Sequence, residues 1–453
     1  MANTYLSKTL SGSPTNNLKW TWSAWVKRNS TGSIQPLFYA DNGGSANFTK
    51  IQFHDTDSVL AQNYVGSSTY GYKITTNAYR DTSAWYHLVM RYDSANATEN
   101  QRFIIWVNGV DSNTLAMDSN TFPDQNRASI INAGNEHRIG RGNNNVGSDY
   151  FDGCMTHVHF CDGYAYSASD FGSTDSTTGE WKINTAPSVS YGTNGFFILK
   201  DGNGVTDSSS NSNAFTVSGG TLLDTKDNPS NNFPTLNRMF SATPPTSNGC
   251  LTITKTNSGY KPGLSTFGAF AGKYYAEFKL ETASGYTNFG VLNAFKNKNL
   301  GKGTNVDYIG DGTDGVAYQP GSSSLYYNSS STGSYGTAAQ GDIIGVALDI
   351  DNGYVYWSKN GTFLNSGVPT SGSTGTGGYA LSNLANSNGD NYYVIGVSVA
   401  GTGGTRTISC NYGQGFFGTT AVASAGTNAS GHGVFEYDVP TGYTALCTKG
   451  LNE

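Results

Sequence analysis

Short segments in which apolar and polar side chains alternate recur along the whole of this 453-residue chain. Successive side chains of a β-strand point to opposite faces, so this alternation predicts strands with one buried face. No apolar run keeps helical spacing over three turns, and the sequence therefore predicts an all-β fold. In the segment 20–27 the positions expected to face a core are Trp20, Trp22, Ala24 and Val26.

Asn-Gly and Asp-Asn-Gly turns divide the alternating segments into hairpins. The segments 86–92 and 102–107 are predicted to pair as central strands, and an Asn-Gly pair at 108–109 ends the second of them. The strongest hairpin signal is Asp-Asn-Gly at 351–353, because Asn and Gly tolerate the positive φ of tight turns. Many short strands with frequent turns are typical of sandwiches and barrels.

The composition changes near residue 226. The stretch 226–245 is polar, rich in Pro and Asn and without periodicity, and Pro disfavours strand interiors. We therefore predict two jelly-roll-like β-sandwich domains, at 1–225 and 246–453, joined by a linker at 226–245. The second domain carries a C-terminal extension. The Ser/Gly/Thr tracts at 321–339 and 370–378 are predicted surface loops.

Charge and cysteine content exclude several classes of partner. Charged residues make up 13% of the chain and the net charge is -6, whereas nucleic-acid binding depends on concentrated positive charge. No run of about 18 apolar residues predicts membrane insertion. The five cysteines contain no CxxC, which argues against disulfides and structural zinc. The first residues lack the parts of a signal peptide, and we expect folding in a reducing cytoplasm.

Paired acids that could hydrolyse a glycan are not visible in the sequence. A retaining glycosidase needs carboxyl groups about 5–5.5 Å apart. Glu277 and Glu281 would lie roughly 13 Å apart along one strand face, which we interpret as a solvated face. Asp349 and Asp351 lead into a hairpin turn, where Asp is favoured for local hydrogen bonds. We expect no catalytic residues and no enzymatic activity.

The candidate metal ligands are better explained as residues of strands and turns. Met155, His157, His159 and Cys161 fall on one strand face, but a strand spreads them over roughly 13 Å instead of converging them. We expect a strand with one polar face. The Asp-rich stretches 201–207 and 307–314 are weak calcium candidates that polar turns explain better. We predict no cofactor and no metal, and a structural calcium ion stays an unsupported alternative.

Tyrosines beside the Ser/Gly tracts carry the remaining functional signal. A Tyr ring offers an apolar face and a hydroxyl at low entropic cost. We predict contact with a cell-surface glycan or protein through Tyr318, Tyr326, Tyr327 and Tyr335.

Several segments resemble known domains. Residues 83–89, followed by 106–109, resemble the core hairpin of laminin-G/concanavalin-A-like sandwiches, and the polar turn at 207–213 is similar to one in that family. Residues 341–361, with Tyr-Gly-Gln-Gly-Phe at 412–416, resemble the core of a SPRY domain. The resemblance implies that a SPRY domain follows a laminin-G-like domain.

The combination of both halves resembles tail-fibre and virion appendage proteins of marine phages, including the cyanophage type. The segments that carry it are 151–153, 158–163, 170–172, 228–237 and 439–447. The resemblance implies a non-catalytic structural protein, made in the host cytoplasm and located on the virion. Its expected partners are other virion proteins and a host-surface glycan or protein. A capsid decoration protein is the alternative, a surface-glycan depolymerase the third, and homo-oligomerisation is left open.

Overall fold

The structure is a computed structural model that describes residues 3–114, 116–142, 149–200, 204–239, 246–282, 285–296 and 308–452. The chain divides into two compact units, Met1–Asp224 and Thr225–Glu453. The predicted all-β class is confirmed. The helical segments among the described residues are short 3-10 turns, at Glu99–Gln101, Ala168–Asp170, Pro320–Ser322, Gly372–Thr374, Leu381–Leu384 and Gly450–Asn452.

The first unit contains two antiparallel sheets. The eight-stranded sheet runs in the spatial order Met117–Thr121, Ser68–Thr75, Val59–Val65, Phe48–Phe53, Gln35–Asp41, Glu136–Ile139, Tyr5–Thr9 and Thr216–Ser218. The six-stranded sheet runs in the order Phe196–Ile198, Gly153–Asp162, Lys19–Arg28, Trp85–Asp93, Phe103–Val107 and Val110–Asp111. A separate hairpin pairs Gly172–Thr174 with Trp181–Ile183.

The core of the first unit lies between these two sheets, as expected for a sandwich. It contains all four residues that the alternation placed inside, Trp20, Trp22, Ala24 and Val26. The predicted pairing of the segments 86–92 and 102–107 is confirmed by the register of Trp85–Asp93 with Phe103–Val107. The turn that follows has positive φ at both Asn108 and Gly109.

The face expected to be polar on Gly153–Asp162 is buried, which corrects the prediction. A bulge between Thr156 and His159 interrupts the alternation, and His157 takes a φ of 50°. His159 and Cys161 lie beneath the segment 163–200, whose apolar side chains cover the outer face of the six-stranded sheet. The covering side chains include Tyr166, Ala168, Phe171, Trp181 and Tyr191.

The second unit also contains two large sheets. The larger one runs in the order Thr246–Ser247, Thr252–Lys255, Arg406–Asn411, Lys273–Leu280, Ile343–Asp349, Tyr354–Lys359 and Thr362–Phe363, with Tyr379–Ala380 and Thr444–Ala445 paired off this path. The smaller sheet has six strands, Lys261–Leu264, Tyr393–Val399, Thr287–Asn293, Gly315–Gln319, Ser324–Tyr327 and Ser330–Thr332. A hairpin pairs Phe416–Phe417 with Thr420–Ala421.

The core of the second unit lies between these sheets and includes Tyr274, Ala276 and Phe278, as the alternation predicts. The hairpin predicted at 351–353 is confirmed, with Asp349 opposite Tyr354. The outer face of the larger sheet is covered by the C-terminal extension through Phe435, Val439, Tyr443, Ala445 and Cys447.

Because the C-terminal extension covers this face of the sheet, Glu277 is completely buried. The prediction that Glu277 lies on a solvated face was wrong. Its carboxylate accepts hydrogen bonds from the backbone N–H of Glu436 at 2.8 Å and of Tyr437 at 2.9 Å. The strand was correctly predicted, but sequence alternation alone could not show that a distant segment packs on its polar face.

Two segments predicted as irregular are structured. Over its described part, 226–239, the predicted linker packs on the second unit, because Phe233 and Leu236 are apolar and fully buried there. Within the tract 321–339, Ser324–Tyr327 and Ser330–Thr332 form strands of the smaller sheet. Part of a Ser-rich tract that composition alone assigns to a loop thus forms an edge hairpin.

Candidate functional site

Two of the four predicted ligand-binding tyrosines are core residues. Tyr318 is completely buried and donates its hydroxyl to the Gly336 carbonyl at 2.8 Å. Tyr335 lies beside it, with ring centroids 6.3 Å apart, and packs edge-on against Trp357. Neither ring is available to an external ligand, and the prediction is corrected for both. Val316 and Tyr318 share the inward face of their strand, which explains the burial.

The other two predicted tyrosines have opposite orientations on the strand Ser324–Tyr327. Tyr327 packs against the core and donates its hydroxyl to the Asn383 carbonyl at 3.0 Å, so it anchors the hairpin. Tyr326 lies opposite Ala317 on the outer face of the sheet and is partly exposed. Of the predicted set, only Tyr326 lies at a surface with several other aromatic side chains.

We define this surface as the tyrosine cluster, which consists of Tyr260, Tyr286, Tyr308 and Tyr326. The ring of Tyr260 lies 4.7 Å from that of Tyr308 and 6.4 Å from that of Tyr286. Tyr308 in turn meets Tyr326 at 6.0 Å with an interplanar angle of 81°. Tyr286 has 47% of its surface exposed, and the other three rings are partly exposed.

Buried amide side chains on the outer sheet face hold the cluster in place. Gln319 Nε2 donates to the Tyr260 hydroxyl and to Asn288 Oδ1, both at 3.0 Å. Asn288 Nδ2 donates to the Ile309 carbonyl at 3.3 Å, and the Ile309 N–H donates to Ser398 Oγ at 2.9 Å. These bonds dock the chain at 309 onto the sheet and thereby position the neighbouring Tyr308.

A close backbone approach completes the arrangement at Gly310. Its φ is 101°, and a Cβ there would lie 2.4 Å from the Tyr326 carbonyl oxygen. Only Gly accommodates both conditions. Gly310 also accepts a hydrogen bond from the Ser329 N–H at 3.0 Å, which ties this segment to the edge hairpin.

The Tyr260 hydroxyl stays uncharged. Burial raises the pKa of this hydroxyl, the neighbouring hydroxyls of Tyr308, Tyr326 and Tyr286 raise it further, and the hydrogen bond from Gln319 partly opposes them. The Tyr260 phenol therefore remains protonated at physiological pH and is unsuited to acid–base chemistry there. With its ring face and neutral hydroxyl, it suits binding.

The acid pair considered in the sequence is occupied by structural contacts. Asp349 is completely buried, lies 3.0 Å from Lys273 Nζ and accepts two hydrogen bonds from Asn352. Asp351 Oδ1 accepts the Gly272 N–H at 2.7 Å. Both carboxylates hold the hairpin turn, as the sequence interpretation proposed.

One Ser–His contact in the first unit has the wrong protonation for nucleophilic catalysis. Ser23 Oγ lies 2.9 Å from His87 Nε2, and Trp181 Nε1–H donates to His87 Nδ1 at 2.9 Å. Because an indole N–H can only donate, Nδ1 is the acceptor and Nε2 carries the proton. Burial lowers the pKa of His87 to about 3, so the ring is neutral and cannot take a proton from Ser23.

Across the described parts of the chain, no group of three or more His, Cys, Asp or Glu side chains could hold a metal ion. None of the five cysteines, all of which lie among the described residues, forms a disulfide. The calcium candidate residues 201–203 and 307 lie outside the described residues. Asp207, the described end of the first candidate, instead accepts the N–H groups of Phe197, Ser209 and Asn213. Among the described residues, no helix has the length and apolar character needed to cross a membrane.

The geometry defines an all-β protein built from β-sandwich sheets. Residues 3–171 match the family model Laminin_G_3, described as the concanavalin A-like lectin/glucanases superfamily. Comparison with curated protein sequences gives no match.

Comparison with solved structures gives matches of low identity, including these three. The SPRY domain of human HERC1 is 18% identical with a TM-score of 0.26, covering 35% of this chain and 87% of that one. The heptameric SAP-like pentraxin from Limulus polyphemus is 14% identical with a TM-score of 0.27, covering 36% and 71%. Stonustoxin is 18% identical with a TM-score of 0.28, covering 39% and 27%.

Three of the four residues of the tyrosine cluster were missed in the sequence. Tyr286 and Tyr308 lie outside the strands, next to Gly285 and Ile309, where no periodicity marks a face. Tyr260 precedes Lys261–Leu264 and is brought to Tyr308 only by strand order. Alternation on Gly315–Gln319 did carry a signal, since Val316 and Tyr318 face inward and Gln319 outward.

Proposed function

We propose that this chain is a non-catalytic attachment protein of a tailed-phage virion, a tail fibre or appendage, that binds a host-surface glycan or protein through the tyrosine cluster. The observation that carries the proposal is the exposure of Tyr286 and Tyr326 beside a buried amide network that fixes their neighbours. A surface fixed in this way binds without first ordering its side chains.

The way in which the chain covers the outer faces of its own sheets supports a binding role for the smaller sheet of the second unit. One large sheet in each unit has its outer face covered by the chain itself, through 163–200 in the first and the C-terminal extension in the second. The smaller sheet of the second unit bears the tyrosine cluster on its outer face. The family description of 3–171 includes lectins, which fits a binding role, and also glucanases.

The virion assignment is supported by the resemblance of 151–172 and 439–447 to phage appendage proteins. Immunogold labelling of purified particles tests it directly. Label on tail fibres or appendages supports the proposal, label over the capsid surface favours the decoration protein, and unlabelled particles refute a virion role.

Binding at the tyrosine cluster is tested with fluorescently labelled full-length protein on a panel of bacterial cells. The double variant Tyr286→Asn, Tyr326→Thr removes two rings while respecting local structure, because Asn tolerates the φ of 57° at 286 and Thr suits a strand at 326. Phe270→Ala is the matched control, since Phe270 is 63% exposed and contacts Phe295 and Tyr392, outside the cluster.

We expect the double variant to lose cell binding and Phe270→Ala to bind cells as the parent protein does. Both variants should keep the thermal unfolding midpoint of the parent protein. Equal binding by all three proteins refutes the assignment of the tyrosine cluster. A reducing-sugar assay on host envelope polysaccharide separates attachment from depolymerisation, and release of reducing ends refutes the non-catalytic assignment.

A further inference from the structure

The tyrosine cluster presents hydrogen-bonding groups that have no partner among the described residues. The hydroxyls of Tyr286 and Tyr326 make no hydrogen bond there, and neither does Gln319 Oε1. Tyr260 accepts from Gln319 through its oxygen, so its own O–H proton is available to donate. The surface thus offers both donors and acceptors within one patch of rings.

No charged side chain among the described residues acts on the Tyr260 hydroxyl at the centre of the cluster. Besides burial and the Gln319 hydrogen bond, the groups that act on the Tyr260 hydroxyl are three other tyrosines, without any Lys, Arg, Asp or Glu. Arg406, which contacts the loop before Tyr286, directs its N–H groups at the backbone carbonyls of Gly285, Thr402 and Thr405. Three Arg406 N–H groups are therefore engaged by the backbone, and among the described residues no Lys or Arg donates a hydrogen bond to the hydroxyl of Tyr260, Tyr286 or Tyr326.

We infer that the ligand of the tyrosine cluster is a neutral, hydroxyl-rich saccharide, not an anionic polymer and not a proline-rich peptide. This inference rests on the proposed binding function of the same surface. Sugar hydroxyls match the mixed donors and acceptors, and the apolar face of a pyranose matches an exposed phenol ring. A proline-rich segment needs an aromatic groove and supplies few donors, so it would leave the phenol and amide groups unpaired.

Ring geometry is consistent with this ligand class. Tyr286 meets Tyr260 at 65° and Tyr326 meets Tyr308 at 81°, so these pairs touch edge to face and do not stack. Edge-to-face contact leaves part of each ring face open. A sugar ring can therefore stack on the open face of Tyr286 or Tyr326.

The experiment measures binding of the full chain to immobilised neutral polysaccharides, to uronic-acid or sulfated polysaccharides, and to proline-rich peptides. Each titration is repeated at about 0.1 M and about 1 M salt, where the screening length falls from about 10 Å to about 3 Å. We expect binding to neutral glycans, with affinity constant within about twofold between the two salt concentrations.

The single variants Tyr286→Asn and Tyr326→Thr should each weaken neutral-glycan binding about tenfold, the loss of one ring contact and one hydroxyl hydrogen bond. Phe270→Ala should bind as the parent protein does. Unchanged thermal unfolding midpoints establish that the variants are folded.

The outcomes separate the ligand class from the proposed function. Binding only to anionic glycans, or only to peptides, with loss in the Tyr variants overturns the inference and leaves attachment through the tyrosine cluster standing. Neutral-glycan binding that falls steeply with salt overturns the inference as well. Binding of any ligand that is insensitive to both Tyr substitutions overturns the inference and the proposed function together.

Discussion

Removing the Glu277 carboxylate should release the C-terminal extension from the sheet it covers. Glu277→Ala removes a completely buried carboxylate and leaves the part-buried N–H groups of Glu436 and Tyr437 without their acceptor. Each unpaired donor costs about 1–3 kcal/mol, so we expect a loss of about 3 kcal/mol. For a unit of this size, that lowers the unfolding midpoint by about 6–12 °C.

The assay combines thermal unfolding with hydrogen exchange at the amides of residues 436 and 437. The matched control is Glu281→Ala, because Glu281 follows the same strand but is 31% exposed and only 4.0 Å from Lys279. Exposed ion pairs of this kind contribute about 0–1 kcal/mol. If Glu277→Ala unfolds at the same temperature as Glu281→Ala and leaves both amides protected, the carboxylate does not hold the extension.

The pH dependence of the same contact has a definite sign. Burial raises the pKa of Glu277 from 4.5 to about 7, opposed by the hydrogen bonds from Glu436 and Tyr437. The folded protein therefore binds this proton more tightly, and the contribution to stability is largest below about pH 4.5 and is lost as pH rises to about 7. The difference corresponds to about 3 kcal/mol. Glu277→Gln should abolish this part of the profile.

Three further predictions follow from burial in the two units. His87 has its pKa lowered to about 3 by burial, so the first unit should lose stability as pH falls from about 6.5. His87→Gln should make the fall of the unfolding midpoint with pH less steep, while the buried His137 and His159, whose pKa values are also lowered, keep part of it. Gly290→Ala places a Cβ 2.0 Å from the Val316 carbonyl oxygen and should lower the midpoint by more than 10 °C, whereas Gly44→Ala, with nothing within 4 Å, should leave it unchanged; equal midpoints would refute the packing. Tyr318→Ala should destabilise the second unit by about 3–5 kcal/mol in denaturant unfolding, and a loss below 1 kcal/mol would contradict its place in the core.

The strands and turns were predictable because they depend on local sequence. Alternation placed Trp20 and Trp22 inside, and Asn-Gly pairs marked hairpins because few residues accept positive φ. The same local rules failed where a distant segment covers a sheet. Glu277 and His159 alternate with apolar residues as exposed side chains would, yet Glu277 lies beneath the C-terminal extension and His159 beneath the segment 163–200.

The candidate site was predictable only at Tyr326. The sequence prediction rested on the proximity of tyrosines to Ser/Gly tracts. Proximity alone does not distinguish Tyr318, which points inward, from Tyr326, which points outward. Alternation from Val316 places Tyr318 inward, whereas alternation from Leu325, a core residue of the next strand, places Tyr326 outward. The grouping of Tyr260 with Tyr308 comes from the order of strands in the smaller sheet, which no local pattern encodes.

The central claim is that the tyrosine cluster binds and does not react. It is tested most directly by incubating the full chain with intact host-surface polysaccharide, measuring bound fraction and polymer length in the same samples. We predict saturable binding that the substitutions Tyr286→Asn and Tyr326→Thr abolish, with the polymer recovered at its original length. Shortened polymer, or binding that survives both substitutions, would contradict the claim.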